Sequence, residues 1–317
     1  MKNVKKLKPK NILVTGGAGF IGSNLVDRLV KDGHRMVVID DLSSGRKENL
    51  NKKAKFYKVD VRDKKIFQIF KKENPEIVFH LAARPIVERV YQNPFEAMEI
   101  NIMGTVKILE ASRLKGDLKS IVIVSSDKAY GETKELPYKE ETPLLGDHPY
   151  EASKASADLM AQAYCRTYGL PIVVTRFSNV FGPRDIYFNR IMPGIFESII
   201  KNQELLIRSD GKMIREYTHV QDIVNGCIKL VENADKTKGE VFNFGSKNIF
   251  GVIELIKKIE EILNVKINYK ILNIAKNETP EQYLDWTKAK EMLGWQPKTS
   301  LEKGIKESFN WYRNNLS

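Results

Sequence analysis

A doubly wound parallel α/β sheet, joined to a smaller C-terminal α/β region, is the fold class that this 317-residue sequence predicts. Three observations carry the expectation. Apolar, β-branched runs alternate with longer amphipathic stretches through the first half, the pattern of βαβ units. A glycine-rich turn, Gly16-Gly17-Ala18-Gly19, comes directly after the first of those runs. Past Gly182-Pro183 the alternation fades into short apolar pieces. The expected division is residues 1–182 and 183–317, with parts of roughly 216–250 returning to the first region.

Asn11–Thr15 is a short apolar run and the first strand, and Phe20–Asp32 is the first helix. Arg35–Asp40 and Lys55–Val59 are the second and third strands. A helix near Lys64–Glu73 leads to a strand at Ile77–Leu81, and a long helical pattern over Phe95–Leu114 leads to one at Ser120–Ser125. A helix over Tyr150–Tyr168 and a strand at Pro171–Phe177 complete six strands, with helices expected on both faces. Beyond them come a helix near Pro193–Lys201, a basic loop around Ser209–Arg215, and helical periodicity over Val252–Leu263 and Ser300–Asn315. Without a long linker or internal repeat, the two regions are expected to pack into one body.

Composition narrows the class of protein. Hydrophobic residues are 42% and charged residues 29%, as in folded globular chains rather than disordered or disulfide-stapled ones. Only Cys165 and Cys227 occur, too few and too scattered for a disulfide framework or a zinc site, so a reducing cytoplasm is expected and no metal. The basic opening, Met1 to Lys10, precedes an apolar stretch too short for a signal peptide, and no uncharged apolar run reaches bilayer length. The net charge of +12 favours an anionic partner. Its lysines are scattered and no nucleic-acid module is recognisable, so specific nucleic-acid binding is not expected.

The glycine turn points to a dinucleotide. Gly16, Gly19 and Gly22, with Phe20 and Ile21, lie between a strand and a helix, where a backbone without Cβ atoms can approach a pyrophosphate. The helix that begins there aims free N–H groups and its positive dipole end at the charge. Asp40 ends the second strand 18 residues after Gly22, close to the spacing of a carboxylate that bonds ribose hydroxyls and repels a 2′-phosphate. NAD is thus preferred over NADP, with Asp41 and Arg46 close enough to matter. Asp60, after the third strand, suits an adenine-edge contact and equally a helix N-cap before Lys64.

Tyr150 and Lys154 are four residues apart at the start of a helix, so their side chains share one face and the ammonium can lower the phenol's pKa. A tyrosinate could then remove a hydroxyl proton while hydride leaves the same carbon for nicotinamide. Ser125-Ser126-Asp127 ends the preceding strand, on the edge of a parallel sheet where ligands gather.

Together these motifs resemble the extended short-chain dehydrogenase/reductases that act on nucleotide sugars, whose fold is a Rossmann domain with a C-terminal substrate-binding region. The resemblance covers nearly the whole chain. Besides the glycine loop it includes His80-Leu81-Ala82-Ala83, Asn101-Ile102-Met103-Gly104-Thr105, the serine strand, the Tyr150/Lys154 pair and Asn179-Val180-Phe181-Gly182-Pro183. It continues through Arg215-Glu216-Tyr217-Thr218-His219-Val220-Gln221-Asp222 and Lys288 to Pro297. It implies NAD contacts at the glycine loop, Asp40, Asp60, Val61, Leu81, Ala82 and Ala83. It also implies that Ser126 bonds the substrate's 4-oxygen, that Tyr150 is the base, and that Lys154 holds Tyr150 and the nicotinamide ribose. Asn179 and Arg215 are implied diphosphate contacts, and Arg190 and Arg208 weaker ones from the same region. For Arg215 the plain alternative is an ion pair with Glu216 or Asp222. A homodimer through the helices containing Met98–Leu114 and Ala152–Tyr168 is a further implication.

The residues after Ser126 divide the family's chemistries. In 4-epimerases small or apolar residues usually stand there. A 4,6-dehydratase must remove the C5 proton and protonate the departing C6 hydroxyl, work for an acid–base pair. Ser126-Asp127-Lys128-Ala129-Tyr130-Gly131 resembles the CDP-glucose 4,6-dehydratase type, with Asp127 as the acid and neutral Lys128 as the base. The competing reading is an Asp127–Lys128 ion pair bracing the strand end of a UDP-sugar 4-epimerase. A non-catalytic NAD-binding scaffold is the remote alternative. Two departures leave the nucleotide and sugar open. Glu278 to Asp285 stands where many relatives carry an arginine followed by Gly-Asp, and Arg84 adds a cation that either meets an anionic sugar group or pairs with Glu88.

Overall fold

Alternate residues of each central strand face opposite apolar layers, and this builds the first region. On β1 (Asn11–Thr15), Ile12 and Val14 join one core while Leu13 joins the other; Met36 and Val38 oppose Val37 and Ile39 in the same way on β2 (Arg35–Asp40). The computed structural model describes residues 8–275 and 278–316, so most of the basic opening segment lies outside the described residues. β3 (Lys55–Lys58), β4 (Ile77–His80), β5 (Ser120–Ser126) and β6 (Ile172–Phe177) complete the expected strands. Three short strands come next, β7 (Asn179–Phe181), β8 (Leu205–Ile207) and β9 (Ile214–His219), before β10 (Val241–Phe244) returns to the large sheet as its seventh member. The order is β10-β6-β5-β4-β1-β2-β3, all parallel, so the strand order reverses between β1 and β4.

Helices cover both faces. α1 (Phe20–Lys31) lies on one side, and α2 (Lys65–Glu73) on the other. The long helical pattern over Phe95–Leu114 is one uninterrupted helical run after α3 (Val87–Gln92), made of α4 (Pro94–Met98), a π-helical stretch over Glu99–Gly104 and α5 (Thr105–Lys115), with right-handed helical backbone at both junctions. α6 (Pro149–Tyr168) takes Pro149 in its first turn and stops at Gly169, which adopts the left-handed conformation that ends helices. α7 (Ile191–Lys201) opens the second region, and α8 (Val220–Glu232) with the short α9 (Ala234–Thr237) returns to the first.

A second, smaller sheet is centred on β9, which pairs with β7, β11 (Ile249–Gly251) and β13 (Glu281–Gln282). β12 (Tyr269–Ile271) pairs with β8 alone. Phe196, Tyr217, Leu255, Ile259 and Tyr312 form a separate core with α10 (Val252–Leu263) and α12 (Leu301–Leu316). α11 (Thr287–Leu293), with Trp295 behind it, packs on the α1 and α8 side of the large sheet. No helix of the described residues is long and apolar enough to cross a membrane.

Candidate active site

At the strand-order reversal the carboxyl ends of β1 and β4 open a cleft of about 910 Å³ that runs on under the second region. Gly16 sits at φ +71°, and a Cβ there would lie 2.7 Å from the Ala82 nitrogen, so the loop closes tightly on the end of β4. Gly19 precedes α1 without any side-chain cap, which leaves the helix's first N–H groups facing the cleft. Asp40 is buried and fixed by two amides, Ala18 N–H to Oδ2 at 3.0 Å and Leu42 N–H to Oδ1 at 2.8 Å. Burial raises its pKa against the pull of those amides. Asp60 also lines the cleft, but it is not the N-cap of α2: Arg62 chelates it, with Nη2 at 2.7 Å, and the first amide of α2, Lys65 N–H, goes to Asp63 Oδ1 at 2.8 Å. The guanidinium bond holds the Asp60 carboxyl below its ordinary range. Val61, Leu81, Ala82 and Ala83 complete this wall.

The end of β5 supplies the reactive groups. The Ser126 hydroxyl donates to Asp127 Oδ1 at 2.9 Å and accepts from the Lys128 N–H at 3.2 Å, setting both residues in one 3₁₀ turn. Asp127 and Lys128 form no ion pair with each other, contrary to the bracing alternative. Asp127 Oδ2 is buried without a partner, and the Lys128 ammonium donates to the side-chain carbonyl of Gln282. Burial pushes Asp127 up and Lys128 down; each charge opposes the other's shift, and Arg215 adds to the depression of Lys128.

Tyr150 and Lys154 stand one helical turn apart on α6 and both line the cleft. Their electrostatics differ from the expectation. Burial pushes the phenol up to about 12, and the groups that pull it down are the Arg190 guanidinium and the Ser126 hydroxyl. Burial brings Lys154 down to about 8, and its ammonium donates to the Val124 carbonyl at 2.7 Å.

The cations of the second region line the cleft with partners that the sequence did not suggest. Arg215 bonds Glu278 at 3.0 Å and the carbonyls of Ile214 and Pro280, while neighbouring Glu216 is separately buried and accepts the N–H groups of Ser246 and Leu284. Asp222 instead accepts the N–H groups of Lys298 and Thr299. Arg190 is held by both oxygens of Asp185 at 3.2 Å. Arg208 pairs with Glu88. Arg84 therefore meets Glu96, at 2.8 Å, rather than Glu88. Asn179 lines the same space with its side-chain N–H₂ group buried and unpartnered. Every residue expected to act at the site lines this one cleft. Sequence reasoning gave no role to Glu151 and Glu278, which also line it, or to Gln282, which lies behind Lys128. Glu151 stands inside the Tyr150/Lys154 motif as a polar residue without a spacing rule, and the only sign of Glu278 and Gln282 is their place in a departing segment.

A glycine cradle at a helix start, an acid on the second strand and a Ser/Tyr/Lys set on one cleft define a dinucleotide-dependent enzyme of the short-chain dehydrogenase/reductase class. A family model described as GDP-mannose 4,6 dehydratase matches residues 13–308, and the chain belongs to that family of NAD-dependent nucleotide-sugar epimerases and dehydratases. A UDP-glucose 4-epimerase of Mycolicibacterium smegmatis is 35% identical over 309 residues, 95% of this chain and 98% of the relative. The crystal structure of a Thermotoga maritima UDP-glucose 4-epimerase with UDP-glucose superposes with a TM-score of 0.90 at 37% identity, covering 96% of this chain and 99% of that one. DesIV, a dTDP-glucose 4,6-dehydratase of Streptomyces venezuelae crystallised with NAD, gives 0.87 at 29% identity over 96% and 97%.

The residues present fit NAD. The cradle around Gly16 has no room for a Cβ, the start of α1 presents uncapped N–H groups, and the Asp40 carboxylate is preset by two amides at the end of β2.

Proposed function

We propose that the protein is a nucleotide-sugar 4,6-dehydratase that uses NAD and takes a CDP-glucose-like substrate. One observation carries the reading. Buried Asp127 and half-buried Lys128 stand side by side beside Ser126 without pairing, and desolvation biases the acid toward keeping its proton and the lysine toward losing one. That is the state in which a carboxyl can donate and an amine accept.

In this reading Ser126 holds the sugar's 4-oxygen and Tyr150 removes its proton, with Arg190 and Ser126 favouring the ionised phenol. Lys154 holds the nicotinamide ribose. NAD bound at the glycine cradle would supply the hydride acceptor for C4 and the hydride donor for C6. The C4 ketone acidifies the C5 hydrogen; Lys128 takes that proton, and Asp127 protonates the C6 hydroxyl as it leaves as water. Asn179, with an unpartnered buried donor, and Arg215, with a planar fork of N–H groups, suit diphosphate oxygens, and Arg190 stands close to both the phenol and the substrate path.

A 4-epimerase is the second reading, favoured by the 35% and 37% identity to UDP-glucose 4-epimerases. Incubation with CDP-glucose, UDP-glucose and their N-acetylated analogues separates the two by mass spectrometry. A 4-keto-6-deoxy sugar, lighter by one water, is expected. A C4 epimer of unchanged mass as the sole product would refute the dehydratase reading. We also infer a homodimer through α4, α5 and α6, where Phe95, Met103 and Leu159 are exposed apolar residues. Light scattering should return twice the chain mass, and a monomer at micromolar concentration would refute it.

A further inference from the structure

We infer that Gln282 is the positioning residue for Lys128: its side-chain carbonyl fixes the lysine nitrogen at the end of β5 and engages one N–H, leaving the electron pair for the substrate. The inference rests on the dehydratase reading.

Gln282 is fully buried on the two-residue strand β13, in register with Arg215 on β9, and it is not part of the cleft wall. Its backbone is held from both sides. Ile214 N–H donates to Pro280 O at 2.9 Å, Leu284 N–H to Glu216 at 3.1 Å, and Tyr138 N–H to Tyr283 O at 3.0 Å. The strand thus straps the second sheet to the loop after Lys128. On it the Gln282 carbonyl accepts from Lys128, while the amide nitrogen lies near the Tyr138 hydroxyl without a well-formed hydrogen bond to it. An amide left half-satisfied in a buried place weakens the fold relative to an apolar side chain of its size. Its use is therefore to be sought in what it holds.

Lys128 has four rotatable bonds, and the charges around it pull in different directions. Asp127, Glu151 and Glu278 favour the ammonium, and Arg215 disfavours it. None of the ion pairs among the described residues includes Lys128. Gln282 is neutral, so it can orient the amine without locking it in the charged form as a carboxylate would. In the proton transfer the C5–H bond breaks and a third N–H bond forms on Lys128. The C5 electron pair becomes the C5–C6 double bond, the C6–O bond breaks, and Asp127 gives its proton to the leaving oxygen. The Gln282 carbonyl dipole then stabilises the new ammonium.

The test compares wild type, Gln282→Met and Gln282→Glu over a range of pH. Single-turnover formation of reduced nicotinamide reports C4 oxidation, and mass spectrometry reports water loss. Both variants should oxidise C4 at the wild-type rate. Gln282→Met should lose water about a hundredfold more slowly, the effect of a misplaced catalytic group. Gln282→Glu should move the alkaline-rising limb of water loss up by about one pH unit or more, because a carboxylate holds Lys128 protonated. Unchanged water loss and an unchanged pH midpoint would overturn the inference and leave the dehydratase reading standing. Loss of C4 oxidation in both variants would also overturn it, by giving Gln282 a general structural role. A wild-type enzyme that forms only a C4 epimer would remove the dehydratase reading and this inference with it.

Discussion

Replacing Asp127 by asparagine should stop water loss while leaving C4 oxidation intact. Asp127 is 2% exposed; its Oδ1 accepts from Ser126, and its Oδ2 has no partner. An amide keeps the Oδ1 contact and the shape. It removes only the transferable proton, and burial already biases this carboxyl toward its neutral form. The fold should therefore change by no more than about 1–2 kcal/mol. Removing a general acid slows a reaction by about 10²–10⁴, which at about 1.36 kcal/mol per tenfold raises the barrier by about 2.7–5.4 kcal/mol. Tyr150 and Ser126 stay in place, so the first step should run at its wild-type rate. The enzyme should then accumulate reduced nicotinamide and ketosugar. Stopped-flow absorbance of reduced nicotinamide tracks the first step, and mass spectrometry of quenched samples tracks the second. Water loss within about threefold of wild type would refute the assignment, since that lies well below the contribution of a general acid.

Tyr150→Phe should slow C4 oxidation by about 10²–10⁴ while NAD still binds, as checked by nicotinamide absorbance and by cofactor titration. Gly16→Ala should weaken NAD binding at least about tenfold and lower the melting temperature: its φ is +71°, the left-handed conformation costs an ordinary residue about 1–2 kcal/mol, and the new Cβ meets backbone at Ala82. His80 is buried between the Thr15 and Thr105 hydroxyls, and burial holds its pKa at about 3. Its folded value lies below the unfolded one of about 6.5, so unfolding takes up a proton in that window. The stability it contributes is present above pH of about 6.5 and lost toward pH of about 3, by at most about 1.4 kcal/mol per pH unit. His80→Asn should flatten the acid side of a denaturant-midpoint series, and an equal slope in both proteins would exclude His80 as the cause.

Five of the first six strands were legible because a parallel strand buried on both faces reads as a largely apolar run, as in Ile121-Val122-Ile123-Val124; β3, the half-exposed edge strand Lys55–Lys58, showed only its aromatic pair Phe56-Tyr57. The rest hides for physical reasons. β10 is four residues long and carries Asn243, whose buried amide is satisfied only by Tyr130 and Tyr138 far away in sequence. β7 and β13 are too short to show a period. The π-helical stretch between α4 and α5 leaves the helix unbroken and so has no start or stop signal in the sequence. α8 is different: its buried apolar face at Val220, Ile223, Val224, Cys227 and Val231 has a helical spacing that is readable in the sequence, although the expected elements omit it. In the site, local motifs pointed to side chains that line one cleft. Their partners, Glu96 for Arg84, Glu278 for Arg215 and Gln282 for Lys128, come from chain segments that only the fold brings near.

On the dehydratase reading, overall similarity and the site weigh different residues, so identity to epimerases and a dehydratase centre can coexist in one chain. On that reading the glycine cradle, Asp40, Ser126, Tyr150 and Lys154 serve the oxidation of C4, the step that both chemistries share. The fate of the ketone depends on which side chains reach C5 and C6, and here the two residues after Ser126 are an unpaired acid and an unpaired amine. An epimerase needs neither, and a buried acid beside a half-buried amine, with no ion pair between them, weakens a fold that has no use for them. The same reasoning applies to Gln282, a buried half-satisfied amide whose carbonyl is engaged by that amine. Three such groups meeting at one point beside Tyr150 are better accounted for by proton transfer at C5 and C6 than by packing.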